Sequence, residues 1–160
     1  MKRKEIYWLI GTIAFVLIMN FALLGSDGFK SNSTVDINIH DTYFVIAHFH
    51  FVVLFSVLIF FGIYFLRTLR RNFKNLTANL ILIISTILLI LILANVSSII
   101  NSLSQFSGST EYPPLSGDKI EHTKNKFGIL SNILFVIQIL LLILLTYCGF
   151  KTGRNYKQNA

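Results

Sequence analysis

Cysteine is almost absent. Cys148 stands alone among 160 residues, so no disulfide can form within the chain, and thiol usage says nothing about the redox compartment. Charge is scarce as well: 13% of residues are Asp, Glu, Lys or Arg, and only seven of them are acidic. No internal repeat, low-complexity tract or soluble domain is visible, so any chemistry belongs to a membrane or to its surface. What is plentiful is hydrophobic surface, at 54% of residues with a mean hydropathy of +0.67, which places a single domain in a bilayer. A pI near 9.7 would suggest nucleic acid if charge were spread evenly. Instead the 14 Lys and Arg residues cluster at the ends of apolar runs, which is a topology signal and argues against a nucleic-acid partner.

Four apolar runs are long enough to cross about 30 Å of hydrocarbon at about 1.5 Å per residue. They cover roughly 6–24, 43–66, 76–100 and 127–150. The first follows "MKRKE", but it is too long for a secretory h-region, and "FALLGSDG" is a poor cleavage site, so it reads as a retained helix. Lys2, Arg3, Lys4, Arg67, Arg70, Arg71, Lys74, Lys151, Arg154 and Lys157 fall on one side of these spans. Only Lys30, Lys119, Lys124 and Lys126 fall on the other. The basic side is expected to be cytoplasmic, with both termini inside and the connections 25–42 and 101–126 outside. The expected fold is all-α, an integral membrane four-helix bundle in one domain, 1–160. The short basic link "RTLRRNFKN" is expected to join antiparallel neighbours, and "GSDG" and "YPPLSGD" mark turns in the outer connections.

The stretch "DINIHDTYFVIAHFH", Asp36 to His50, departs from this apolar background. An ionisable group in a bilayer costs on the order of 2.5–3.5 kcal/mol on insertion scales and marks a functional site by default. On a helix beginning near Tyr43, His48 and His50 lie five to seven residues inside the span, and at about 100° per residue they project roughly 160° apart. They cannot share one small ion, for which an i, i+4 pair is expected. They could each serve a separate planar cofactor, and haem, which takes a neutral imidazole and an apolar shell such as Phe44, Phe49, Phe51 and Phe55, suits them. Ala47 leaves room beside His48. Interhelical hydrogen bonding by the same imidazoles is the competing reading. His40 and Asp41 at the span's entry suit a divalent cation or an anionic group, and Asp41 suits an N-cap equally well.

At these residues "VDINIHDTYFVIAHFHFVV" closely resembles the tenth-helix signature of subunit I of haem-copper cytochrome and quinol oxidases. The resemblance implies that His48 binds a high-spin haem and His50 a low-spin haem. It also implies that Asp36 and His40 contact a haem propionate and that His40 and Asp41 help hold magnesium at the outer surface. In weaker register the whole chain is similar to the last four helices of that subunit.

Several family features have no counterpart here. The other low-spin histidine, the copper ligands and the cross-linked tyrosine belong to absent helices, and "SGSTEYPP" stands where the family carries paired arginines. His122, in the outer connection, cannot replace them. Copper is not expected from this chain alone, nor is a complete oxidase. The start "MKRKE" and the basic tail read as those of a complete small protein in a bacterial plasma membrane.

Three functions follow from this. The first is a haem-binding protein in electron transfer or an accessory respiratory role, with partners from its own copies or from respiratory subunits. The second is a haem-free structural or assembly subunit docking through Asn79, Asn95, Ser131, Asn132 and Gln138. The third is one piece of a split oxidase.

Overall fold

The computed structural model describes residues 3–30, 32–39, 42–106 and 119–157. In chain order these form α1 (Arg3–Leu24), a 3-10 turn (Gly25–Phe29), β1 (Thr34–Ile39), β2 (Thr42–Ala47), α2 (His48–Arg70), α3 (Leu76–Phe106) and α4 (Lys119–Lys157). The fold is all-α, and each of the four helices contains a stretch long and apolar enough to cross a membrane. The chain is therefore a multi-pass membrane protein.

Helix boundaries differ from the sequence expectation at several ends. α2 begins at His48 and not at Tyr43, because residues 42–47 pair as a strand with residues 34–39. "TVDINI" and "TYFVIA" are rich in β-branched and aromatic residues, which fit a pleated ribbon better than a helix. Within the 101–126 connection, α3 runs on to Phe106 and α4 starts at Lys119, so position 122 is helical and does not lie in a loop. α1 is extended by one turn toward the N-terminus and α2 by one turn toward Arg70.

Two compact units are present, one of Met1–Leu89 with Cys148–Ala160 and one of Ile90–Tyr147. In the first, the close helix pair is α1 with α2, not α2 with α3. α1 buries Glu5, Thr12, Val16 and Asn20, which recur at helical spacing on one face. Large apolar residues on its other faces, including Phe15, Ile18 and Phe21, are exposed, as a lipid-facing surface requires. The pair is antiparallel: Glu5 meets Arg67 at one end, and Asn20 Nδ2 donates to Ser56 Oγ (3.1 Å) toward the other.

α2 stops in a Schellman motif. The Phe73 N–H donates to the Thr68 carbonyl and the Asn72 N–H to that of Leu69, each at 3.1 Å, with Asn72 (φ 47°) and Phe73 (φ 60°) left-handed. The turn's own carbonyls are satisfied from two helices. Asn79 Nδ2 donates to Phe73 O (2.8 Å), and Asn155 Nδ2 donates to Asn72 O and Phe73 O (3.2 and 3.1 Å). Asn79 Nδ2 also donates to Thr152 Oγ1 at 3.0 Å, an interhelical bond made within the chain.

In the second unit Ser131 Oγ donates to Asn101 Oδ1 (2.9 Å), whereas Asn95 bonds back to its own helix at Leu91 O (3.0 Å). Asn132 is exposed there, and the buried Gln138 Nε2 has no partner.

Candidate functional site

The hairpin positions the histidines. β1 and β2 pair antiparallel with Thr34 opposite Ala47, Asp36 opposite Val45 and Ile39 opposite Thr42. The alternation of a strand puts Thr34 and Asp36 on one face of the ribbon. Thr34 Oγ1 donates to the exposed Asp36 carboxylate at 3.3 Å. His40 and Asp41, the magnesium candidates, lie outside the described residues.

β2 passes directly into α2. Ala47 stands at the N-cap (φ −61°, ψ 132°) and offers no side-chain cap, so the capping role weighed for Asp41 falls to a residue that cannot perform it. The His48 N–H donates instead to the Ser33 carbonyl (3.1 Å), which fastens the helix start to the residue before β1. Ser33 Oγ in turn donates to the carbonyls of Asp27 and Lys30, and Lys30 Nζ pairs with Asp27 Oδ1 at 2.6 Å. One chain of bonds therefore links the 3-10 turn, the hairpin and the first turn of α2.

His48 and His50 are the first and third residues of α2. They lie in the helix's opening turn and not five to seven residues within it, because the preceding residues are strand. Their spacing still directs them to nearly opposite sides of the helix. His48 is half-buried and its Nδ1 is enclosed without a hydrogen-bond partner; His50 is exposed, with its ring edge-on to Phe49 at 6.0 Å. Among the described residues no group of three or more His, Cys, Asp or Glu side chains gathers to hold a metal ion. The structure thus brings Asp36, His48 and His50 onto one continuous segment.

A second polar cluster escaped sequence reasoning. At the basic end of α1 and α2, Arg67 Nη2 donates to Glu5 Oε2 at 2.6 Å, and both side chains are buried, 7% and 6% exposed. Arg71 Nη1 approaches the other carboxylate oxygen at 3.7 Å. The Arg67 guanidinium also lies over the Trp8 ring (4.7 Å) and near that of Tyr64 (5.8 Å). A single acid inside "MKRKE", facing the arginines of "RTLRR", was the available signal.

The chain is similar to cytochrome c oxidase subunit 1. Over 50 residues, 31% of its length, it is 46% identical to that subunit from Albinaria turrita, covering 23% of the relative. It is 41% identical over 69 residues to the subunit from Plasmodium berghei (38% of this chain, 14% of the relative) and 36% identical over 80 residues to that from Plasmodium falciparum (48% and 16%). The chain spans less than a quarter of the length of the curated relatives it matches. No family model and no solved structure matches it. The likeness to cytochrome c oxidase subunit 1 is thus partial, and it relates the chain to the respiratory oxidases.

Proposed function

We propose that this chain is a small haem-binding membrane protein in which His48 and His50 each hold the iron of a separate haem. Its role is electron transfer or an accessory one within a respiratory complex. The observation that carries this reading is the pair of imidazoles on opposite sides of the opening turn of α2, in a chain partly similar to cytochrome c oxidase subunit 1. A ligating histidine uses one ring nitrogen and donates from the other. His48 Nδ1 is not committed to a hydrogen bond, and the exposed His50 ring is open to a flat ligand. Haem, when bound, supplies one-electron chemistry at its iron. The histidines contribute neutral imidazole lone pairs, and the Ser33 carbonyl bond keeps the first turn that bears them in place. In this reading Asp36 and His40 face a haem propionate, with a magnesium ion at His40 and Asp41 as a further proposal. The domain is one membrane unit with both termini in the cytoplasm of a bacterial cell.

A second reading, in which another polypeptide would supply the remaining helices of a split oxidase subunit, is supported by the partial similarity to cytochrome c oxidase subunit 1. The deciding experiment is an absorption spectrum of the protein purified from haem-replete cells. A Soret band with reducible visible bands is expected, with haem content lowered by His48→Ala and by His50→Ala separately. Protein that stays colourless with added haem, in a detergent preserving its assembly, leaves the haem-free structural subunit. Copurification with a larger oxidase-like chain establishes the split form.

A further inference from the structure

We infer that the basic end of the α1–α2 pair binds a phosphate oxyanion, that of an anionic lipid headgroup, through Arg67, Thr68 and Tyr64. Tyr64, Arg67, Thr68 and Arg71 fall at i, i+3, i+4 and i+7 on one face of α2. Arg67 uses one nitrogen on Glu5, while its Nε and Nη1 are buried without partners; the Tyr64 and Thr68 hydroxyls are buried without partners as well.

All four atoms can donate, so what they lack in common is an acceptor. The nearby carboxylate cannot meet the demand, because Glu5 already faces Arg67 through one oxygen and Arg71 through the other. The rings of Trp8 and Tyr64 lie against the guanidinium, and they cannot accept the N–H groups that point outward in its plane. One carboxylate between two arginines also leaves a positive charge over. A phosphate oxygen supplies lone pairs and the missing negative charge together.

The location suits a headgroup. The cluster sits where the apolar stretch of α2 gives way to Arg67, Arg70 and Arg71, which is where a bilayer's phosphates lie relative to its hydrocarbon. Arg71, about half exposed at 52%, carries a second positive charge beside the cluster, 3.7 Å from Glu5 Oε1.

The test uses the full-length protein in a neutral detergent, titrated with phosphatidylglycerol, phosphatidylcholine or inorganic phosphate. Thermal stability and lipid retention in native mass spectrometry are read out. Saturable stabilisation by phosphatidylglycerol, with a single equivalent retained per chain, is expected. It should be roughly tenfold weaker in Thr68→Val and in Tyr64→Phe, each of which removes one hydrogen bond to a charged acceptor. Both variants keep the Glu5–Arg67 pair and so keep the fold. Competition by millimolar inorganic phosphate would assign the site to free phosphate by the same chemistry. Equal retention of phosphatidylcholine, an equal response in wild type and variants, or no response to any of the three overturns the site.

Discussion

Glu5 and Arg67 are 62 positions apart, and each is expensive to bury by itself. Their pairing is a buried link between α1 and α2, and it depends on both partners. Glu5→Gln is expected to destabilise the protein by about 3–5 kcal/mol, because it leaves the guanidinium buried without its counter-charge. The double variant Glu5→Leu with Arg67→Met should recover most of that loss, since a well-packed apolar pair of similar volume is close to neutral. Unfolding in mixed micelles measures both; a single variant as mild as the double would mean that water reaches the pair. The lone acid near the arginines' end was the only hint of the pair in the sequence, since recognising it requires knowing which faces of two antiparallel helices meet. His48 and His50 were legible at once as ionisable residues inside an apolar run. Their depth was not, because it turns on where the helix starts.

That start is an element-scale question, and local sequence answers it ambiguously. An apolar run reads as a span whether its first residues are helical or extended, and only the partner strand 34–39 decides for extension in 42–47. Backbone chemical shifts of the detergent-solubilised protein should therefore be strand-like from Thr42 to Ala47 and helical from His48. Helical shifts beginning at Tyr43 would return the histidines to the interior of the span. The N-cap gives a mutational counterpart. Ala47 has the extended backbone of a cap but no oxygen, so Ala47→Ser should stabilise the protein by about 1 kcal/mol. At the other end of α2, Asn72 holds the left-handed position of the Schellman motif. Asn72→Val should cost about 1–2 kcal/mol and Asn72→Gly little or nothing, as thermal unfolding of the pair will show. The four spans themselves followed from run length alone, because a bilayer's thickness leaves few alternatives.

At the scale of the whole molecule, no group of three or more His, Cys, Asp or Glu side chains gathers among the described residues, while many large apolar side chains on the helices are exposed. A haem seated on one histidine and otherwise facing lipid would be weakly held. Two chains, or this chain and an oxidase-like partner, could close around it and supply the opposite axial position. Haem content is therefore expected to track assembly. On size exclusion in mild detergent the Soret absorbance should run with the oligomer or complex, and the separated monomer should be depleted. The two histidines should differ in this respect. His50, exposed, depends wholly on a partner to cover its haem, whereas half-buried His48 already has part of a protein shell. Dissociating the assembly should thus remove the haem held by His50 first, so that His50→Ala protein loses a smaller share of its colour on dilution than His48→Ala protein. Equal losses from the two variants would place both haems in the same kind of environment and remove the basis for assigning them to opposite sides of α2.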